Sequence, residues 1–198
     1  MKLNFYVDEN VLIPRADTEV LVEEAINLCK DRKKVLELCT GSGAIAVSME
    51  KYVKDIEITA TDISKEALDI AKKNEQNLIE KPTIKFIQSN MFEKINEKYD
   101  IIISNPPYIK TEVINEYNLE YEPKIALDGG KDGLDFYRII IEEGYKYLNE
   151  EGIIALEIGY DQRKEVIEIA EKTNKYENIY CIKDLFGNDR VIIIKKEA

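Results

Sequence analysis

Short apolar runs along the chain alternate with longer stretches whose apolar residues recur at helical spacing. The runs at 35–39 and 56–61 are each followed by such a stretch, the first at 44–52 and the second as far as Leu78. Ser64 is well placed to cap the second helix, because a serine hydroxyl accepts a hydrogen bond from an otherwise unpaired N–H. This alternation predicts parallel strands joined by helices that cover both faces of one sheet.

The same pattern extends on both sides of this region. Asp17 and Thr18 are expected to cap a helix over 19–30, ahead of the first strand. Three further strands and two further helices are predicted downstream. These strands lie at 84–88, 99–104 and 152–158, and the helices at 134–148 and 161–173.

The C-terminal end departs from this rhythm. Strands are predicted at 176–182 and 190–195, and the segment between them carries the turn sequence Gly187-Asn188-Asp189. This connection is too short for a helical crossover, so the last strand should run antiparallel to its neighbour. The prediction is an α/β, Rossmann-like sheet of seven strands, mostly parallel, with one antiparallel strand near the C-terminus.

Length and composition fit a single core. We expect residues 1–30 to form an N-terminal extension with a helix, and residues 31–198 to form the main domain. No run approaches the roughly 20 apolar residues of a membrane span. The first six residues contain no apolar signal-peptide core, so a cytoplasmic protein is expected.

Residue types and charge exclude several chemistries. The sequence has no histidine, which removes histidine general bases, Ser-His and Cys-His nucleophile pairs and His-ligated zinc. Cys29, Cys39 and Cys181 have no metal-ligand spacing and fit small buried hydrophobes, so no metal site is expected. The net charge of −11 argues against a nucleic-acid partner, although a local basic patch would be compatible with it.

A glycine-containing turn follows the first predicted strand. Its candidate binding residues are Glu37, Cys39, Thr40, Gly41, Ser42 and Gly43. The two glycines permit a tight turn and a close approach of a ligand to the backbone. Taken alone, the Gly-x-Gly pattern is weak evidence for a nucleotide site, and it is also compatible with an ordinary strand-to-helix turn.

Asp62, at the end of the second predicted strand, favours a nucleotide ligand. A carboxylate there can accept hydrogen bonds from both ribose hydroxyls, although it could instead serve the helix start at Ser64. With the turn, it indicates an adenosine-containing cofactor such as S-adenosylmethionine, whose ammonium group Glu37 could meet. The spacing Gly41-x-Gly43-x-x-Ala46 also matches a dinucleotide fingerprint, so NAD stays open on this pattern.

The fourth predicted strand ends in Asn105-Pro106-Pro107-Tyr108. Ligands of open α/β sheets bind beyond the carboxyl ends of the strands, so this tetrapeptide should face the same crevice as the glycine turn. Such a sequence alone would indicate only a turn. Here the two prolines stiffen the chain and remove two backbone donors. The tetrapeptide therefore presents two hydrogen-bond acceptors, the Asn105 side-chain oxygen and the Pro106 carbonyl, beside the Tyr108 ring.

Two such acceptors suit methylation of a planar nitrogen. An amide nitrogen is a poor nucleophile because its lone pair is delocalised into the carbonyl. Acceptors that each take one N–H hold the lone pair towards a methyl sulfonium and favour the positive charge that develops on nitrogen. No strong base is needed, since the proton becomes acidic as the N–C bond forms, which agrees with a chain without histidine.

The tetrapeptide resembles that of amino-methyltransferases acting on exocyclic nitrogens of adenine, guanine or glutamine. Essentially the whole chain resembles one branch, the protein-(glutamine-N5) methyltransferases of the HemK/PrmC type, which modify the Gly-Gly-Gln loop of peptide chain release factors. The matching segments are 12–19, 37–46, 61–64, 105–108, 122–134 and 185–190. The resemblance implies a class I S-adenosylmethionine-dependent methyltransferase fold, that cofactor, and a release factor as partner.

By that resemblance, residues 39–43 and Asp62 contact the cofactor and Asn90 lies beside its adenine. Asn105 would touch both cofactor and substrate. The substrate amide would be held by Asn105, Pro106, Pro107 and Tyr108, of which Asn105, Pro106 and Tyr108 are the candidate catalytic residues. The long stretch 109–132 fits a lid or substrate-binding segment, since loops of that length are usually functional or disordered.

Some features depart from the family pattern. Ala16 stands where proline is usual, Cys39 replaces the commoner glycine, and Asn90 replaces a frequent aspartate. The helical N-terminal docking domain of the bacterial members is expected to be absent, which leaves the mode of release-factor docking open. N-methylation of adenine or guanine in RNA or DNA is the alternative activity. A non-catalytic cofactor-binding module and a dehydrogenase are further alternatives.

Overall fold

The computed structural model describes residues 2–31, 33–117 and 122–197. Its helices, in chain order, are α1 (Thr18–Leu28), α2 (Ala44–Tyr52), α3 (Lys65–Leu78), α4 (Thr111–Tyr117), α5 (Asp135–Gly144) and α6 (Arg163–Lys172). Its strands are β1 (Lys34–Leu38), β2 (Glu57–Asp62), β3 (Lys85–Gln88), β4 (Tyr99–Ser104), β5 (Leu148–Glu157), β6 (Tyr176–Lys183) and β7 (Asp189–Lys196). The predicted strand and helix succession is confirmed to within a few residues at each boundary.

The strands form one seven-stranded sheet in the order β3-β2-β1-β4-β5-β7-β6. Strands β1 to β5 pair in parallel, whereas β7 is antiparallel to both β5 and β6. The predicted antiparallel strand is therefore confirmed. The sequence did not predict that β7 lies inside the sheet, between β5 and β6.

Both faces of the central strands are covered by helices. Ile101, Ile102 and Ile103 of β4 are all fully buried, and successive residues point to opposite faces. Ile102 packs with Tyr137 and other residues of α5, whereas its two neighbours pack with Leu21 and other residues of α1 and α2. The apolar run of β4 thus forms part of both core clusters, as expected for a doubly wound parallel sheet.

The starts of two helices were predicted from capping residues, with different outcomes. The Ser64 side chain accepts a hydrogen bond from the Ala67 amide at 3.1 Å, so this cap is confirmed. The predicted cap at Asp17 and Thr18 is wrong, because α1 begins at Thr18 and Asp17 makes no side-chain cap. The Asp17 carboxylate instead pairs with Arg190 at 3.1 Å.

The stretch 109–132 contains more regular structure than predicted. It includes the short helix α4 and a 3₁₀ turn at Lys124–Ala126, while its residues 118–121 lie outside those described. Two apolar residues, Val113 and Ile114, are too few to reveal a seven-residue helix by periodicity. No helix in the described ranges is long and apolar enough to cross a membrane.

Candidate active site

A cavity of about 230 Å³ opens at the carboxyl ends of the parallel strands. Eight of the predicted site residues line it, namely Cys39, Thr40, Gly41, Ser42, Asp62, Asn90, Asn105 and Pro107. The other four predicted site residues do not line the cavity themselves, but each lies within two positions in the chain of a residue that does. They are Glu37, Gly43, Pro106 and Tyr108. The structure therefore brings the glycine turn, Asp62 and the tetrapeptide to one site.

The glycine turn depends on backbone conformations that favour glycine. Gly41 has a φ of +54° and Gly43 a φ of +79°. A Cβ atom at Gly43 would lie 3.0 Å from the Ala71 Cβ, so this glycine permits the close packing of α2 on α3. A Cβ at Gly41 would meet no atom within 4 Å, which leaves open space beside the turn.

Glu37 lies behind the turn and is fully buried. Its Oε2 accepts a hydrogen bond from the Thr40 hydroxyl at 2.6 Å, whereas its Oε1 has no partner among the described residues. Burial raises the pKa of Glu37 to about 8, against the opposing effect of the Thr40 hydroxyl. The site thus holds a carboxyl group with unused hydrogen-bonding capacity.

Asp62 joins the ends of β2 and the glycine turn. Its Oδ2 accepts a hydrogen bond from the Gly41 amide at 2.9 Å, and its Oδ1 accepts one from the Ser64 amide at 3.0 Å. Burial raises its pKa, although these N–H groups favour the charged form. A carboxylate offers about four lone-pair sites, so Asp62 can stabilise the helix start and still accept from a ligand.

Cys39 and Met91 face each other in the cavity wall. Both have positive φ, +58° and +46° respectively, and their sulfur atoms are 3.9 Å apart. Burial raises the pKa of Cys39 to about 12, so its thiol stays neutral and unreactive. The neighbouring Asn90 is exposed and donates from Nδ2 to Glu93 Oε1 at 2.9 Å.

The backbone of the tetrapeptide is held by the segment 127–133. A Cβ at Gly129 would lie 2.7 Å from the Tyr108 Cα, and one at Gly133 would lie 2.4 Å from the Tyr108 carbonyl oxygen. That carbonyl also accepts a hydrogen bond from Gln162 Nε2 at 3.0 Å. Glycines therefore let this segment pack against the backbone that presents the candidate acceptors.

The Asn105 side chain points to the start of α1. Its Nδ2 donates to the Thr18 hydroxyl oxygen at 3.4 Å. Glu157, at the end of β5, is 1% exposed, and its Oε2 has no hydrogen-bond partner among the described residues. Burial raises the pKa of Glu157 to about 7, against the opposing effects of the nearby Thr18 and Asn105 side chains and of the Arg190 charge.

Several of these residues were missed by sequence reasoning. Thr18 was assigned only to a helix cap, and Glu157 and Gln162 received no role. A signal for Glu157 exists, since it ends an apolar strand at the edge where ligands bind. The N-terminal segment also lines the cavity, through Asn10, Val11, Leu12, Pro14, Arg15 and Thr18.

Tyr108 is held neutral beside the cavity. Burial raises the pKa of its phenol to about 12, and the carboxyl groups of Glu157 and Asp17 act in the same direction. The phenol therefore supplies a flat neutral surface and no base near neutral pH. The arrangement can bind and orient a neutral planar group through hydrogen-bond acceptors.

Comparison with known proteins identifies the family. Residues 16–120 match the family described as "Methyltransferase small domain". The chain is 44% identical over 201 residues to the release factor glutamine methyltransferase of Clostridium acetobutylicum, with 98% of this chain and 70% of the relative covered. The chain belongs to the release factor glutamine methyltransferase family.

Other release factor glutamine methyltransferases show similar likeness. The Streptococcus pneumoniae protein is 44% identical over 197 residues, covering 97% of this chain and 70% of its own length. The Fusobacterium nucleatum protein is 42% identical over 202 residues, covering 98% and 56% respectively. The predicted family is therefore confirmed.

Solved structures with lower identity share the fold. A methyltransferase from Pyrococcus furiosus has a TM-score of 0.68 at 22% identity, covering 99% of this chain and 90% of its own. The hMettl16 catalytic domain, solved with an RNA hairpin, has a TM-score of 0.76 at 15% identity, covering 99% and 76%. The predicted class I methyltransferase fold is confirmed by these likenesses.

Proposed function

We propose that this chain transfers a methyl group from S-adenosylmethionine to the N5 side-chain amide of a glutamine, in the Gly-Gly-Gln loop of a peptide chain release factor. The observation that carries the proposal is the placement of Asn105 and Pro107 in one cavity with the glycine turn and Asp62. Family membership supports glutamine as the methyl acceptor.

The residues around the cavity fit S-adenosylmethionine. The space beside Gly41 is open to a ligand, and the unpartnered Glu37 Oε1 suits the ammonium group of an amino acid. Asp62 has acceptor capacity left for ribose hydroxyls, and Asn90 lines the part of the wall proposed for adenine. When bound, the cofactor supplies an electrophilic methyl group on a sulfonium.

The chain itself orients the nucleophile. The Asn105 Oδ1 and the Pro106 carbonyl each accept one N–H of the substrate amide, so the nitrogen lone pair is directed at the methyl group. Both acceptors favour the positive charge that develops as the N–C bond forms and the S–C bond breaks. The nitrogen then loses a proton to solvent, and the neutral Tyr108 ring packs beside the amide.

The surface at this edge favours a protein substrate over a nucleic acid. Leu185 and Phe186, in the turn between β6 and β7, are 99% and 88% exposed. Ile63 and Ile125, both exposed, line the cavity itself. Apolar side chains at the mouth and a net charge of −11 suit a polypeptide better than a phosphate backbone.

We also propose that the N-terminal region forms part of this unit. Residues 1–30 would act as an extension that completes the cavity, and 31–198 as the catalytic domain. Support comes from α1, whose Leu21 and Ala25 are fully buried in the core, and from Thr18, which lines the cavity. Release-factor binding then uses the surface around this cavity.

Transfer of label tests the proposed function directly. The chain is incubated with methyl-labelled S-adenosylmethionine and a release factor, the same factor with Gln→Ala in its Gly-Gly-Gln loop, or total RNA. We expect label only in the unaltered factor. Label in RNA, or label that persists in the Gln→Ala factor, would contradict glutamine methylation.

Asn105→Ala is the matched inactive variant for that assay. We expect turnover to fall by at least about 100-fold, because an acceptor needed in the transition state is removed, while cofactor affinity stays within about tenfold. Turnover and cofactor affinity are measured separately on the same preparation. Unchanged turnover would exclude Asn105 from the proposed role.

A further inference from the structure

The buried Gln162 side chain, just before α6, connects three segments of the chain. Its Nε2 donates to the Tyr108 carbonyl oxygen at 3.0 Å and to the Gly133 carbonyl oxygen at 3.2 Å. Its Oε1 accepts a hydrogen bond from the Gly159 amide at 3.0 Å, and the Tyr137 hydroxyl lies 3.4 Å from the same atom. Both N–H groups and the oxygen of the Gln162 amide are therefore occupied.

The partners of Gln162 fix which end of its amide faces the tetrapeptide. The Gly159 amide can only donate, so the side-chain oxygen must face it. The carbonyls of Tyr108 and Gly133 can only accept, so the NH₂ end must face them. The reversed amide would place a donor against a donor at one end and an oxygen against two oxygens at the other.

Two glycines provide the space that this amide occupies. A Cβ atom at Gly159 would lie 2.8 Å from Gln162 Oε1, and one at Gly133 would lie 2.8 Å from Gln162 Nε2. Gly133 also has a φ of +77°, whereas the φ of Gly159 is not positive. At Gly159, therefore, a side chain would be excluded by the Gln162 amide and not by backbone strain.

The peptide group between Tyr108 and Ile109 is bound on both sides. Its N–H donates to the Leu127 carbonyl at 2.9 Å, and its carbonyl accepts the hydrogen bond from Gln162. One of these bonds alone would allow the peptide group to tilt, whereas the two together fix its plane. Gln162 thus helps to fix the C-terminal end of the tetrapeptide.

The tetrapeptide transmits the position of that end to its acceptors. At its other end, Ser104 is paired with β5 in the sheet. Between these two points, Pro106 and Pro107 have no N–H with which to bind other segments. Their rings fix φ, and each ring also restricts the residue before it. Because the span is stiff, a shift at Tyr108 also moves the Pro106 carbonyl.

We propose that Gln162 is a positioning residue, which holds the Asn105 and Pro106 acceptors in place by binding the Tyr108 carbonyl. The proposal rests on the proposed function, in which those acceptors orient the substrate amide. Gln162 does not line the cavity, so it acts through the tetrapeptide. Small displacements of groups that orient reacting atoms lower the rate strongly. Loss of Gln162 should therefore lower turnover and leave cofactor binding almost unaltered.

Gln162→Met tests the proposal because methionine has a similar length and no N–H to donate. We expect kcat to fall at least about 30-fold, with cofactor affinity within about threefold of the unaltered chain. Gly159→Ala keeps Gln162 but displaces its amide, so it should also lower kcat, by at least about threefold. The double variant should lose no more than Gln162→Met alone, because both changes break the same contact.

Asn149→Asp is a control for structural loss. Asn149 Nδ2 donates to Asp100 Oδ1 at 2.7 Å at the opposite edge of the sheet, where β4 and β5 begin. The substitution removes a side-chain amide donor away from the cavity, so it should lower the midpoint of thermal unfolding and keep kcat within about twofold. Thermal unfolding is measured for every variant. Losses of kcat that follow stability in all three single variants would overturn the positioning role.

An NMR measurement without substrate separates this proposal from the proposed function. The sequence contains the dipeptide Tyr-Ile once, at Tyr108-Ile109. A chain with ¹³C in its tyrosine carbonyls and ¹⁵N in its isoleucines therefore gives one carbonyl–nitrogen correlation, that of the Tyr108 carbonyl. We expect this carbonyl signal to move upfield in Gln162→Met and Gly159→Ala, because its hydrogen bond is lost or weakened. It should stay in place in Asn149→Asp.

The two measurements together decide the role of Gln162. A Tyr108 signal that does not move in Gln162→Met, or a moved signal with native kcat, would overturn the proposal. Gly159→Ala serves for both measurements if Gln162→Met does not fold. The NMR result stands even if the unaltered chain methylates no release factor, an outcome that would contradict the proposed function alone.

Discussion

Two buried glutamates flank the end of β4, Glu37 on β1 and Glu157 on β5. Each has one carboxylate oxygen without a partner among the described residues. Burial raises their pKa values to about 8 and about 7. Leaving such groups unsatisfied in a core is unfavourable, and strongly perturbed carboxyls beside a cavity are typical of functional sites.

Glu37 should release a proton when the cofactor site is filled. At pH 7 it is largely protonated, and an ammonium group beside it favours the carboxylate and lowers its pKa. Calorimetric titration with S-adenosylhomocysteine in two buffers of different ionisation enthalpy should therefore show net proton release. Glu37→Gln should abolish that release.

A second ligand serves as a control for the calorimetric titration with S-adenosylhomocysteine. 5′-Methylthioadenosine lacks the amino-acid end, so its binding should release no proton through Glu37. Equal buffer dependence for the two ligands, or none for S-adenosylhomocysteine, would place the ammonium group elsewhere.

Among the individual site residues, the sequence revealed those that belong to local patterns. Gly41, Asp62 and the tetrapeptide were predicted because turn chemistry and strand ends are visible along the chain. Thr18 and Glu157 were not, because the contact of Thr18 with Asn105 and the burial of Glu157 depend on how the chain packs in three dimensions. The Thr18–Asn105 contact joins segments 87 residues apart and has no local signal, whereas Glu157 has one as the polar end of an apolar strand.

The segment 127–133 is the element that supports the tetrapeptide. We expect Gly129→Ala to lower kcat at least about tenfold and to destabilise the fold by roughly 1–3 kcal/mol, because the new methyl group would displace the Tyr108 backbone. Turnover at saturating cofactor and urea unfolding measure the two effects.

Gly152→Ala is a matched control for that substitution. A Cβ there would also be too close, at 2.9 Å from the Leu148 Cβ, but within β5 and away from the cavity. It should lose stability similarly and keep kcat within about twofold. A similar loss of kcat in both variants would show that destabilisation alone explains Gly129→Ala.

Elements with long apolar runs were predicted well, and short polar ones were not. β4 and β5 are recognisable because they are buried on both faces, whereas α4 has only two apolar residues. The cap at Asp17 was mistaken because a carboxylate before a helix has the same sequence pattern whether it caps the helix or pairs with Arg190. Only the position of β7 distinguishes these two uses.

For the whole molecule, the buried carboxyls make stability depend on pH in an unusual direction. Glu37 and Glu157 have higher pKa values folded than unfolded, so the native chain binds more protons than the unfolded chain between about pH 5 and pH 8. The free energy of unfolding should therefore fall as pH rises across this window, by at least about 2 kcal/mol. Urea unfolding at pH 5, 6.5 and 8 measures it.

Glu37→Gln and Glu157→Gln should each reduce that dependence, because glutamine does not ionise. Carboxyls with lowered pKa values, such as those of Asp128 and Asp132, lose their contribution only below this window. No histidine contributes within it. Stability that rises from pH 5 to pH 8 would contradict the assignment of both raised pKa values.

The position of β7 has a consequence for how the protein matures. Among the described strands, β6 pairs with the sheet only through β7, so β6 can join the sheet only where β7 is in place. The position of β7 also brings Arg190 to the Ile158 carbonyl and to Asp17, beside the start of α1. We therefore expect that a chain in which β7 is not paired with β5 lacks these Arg190 contacts at the start of α1.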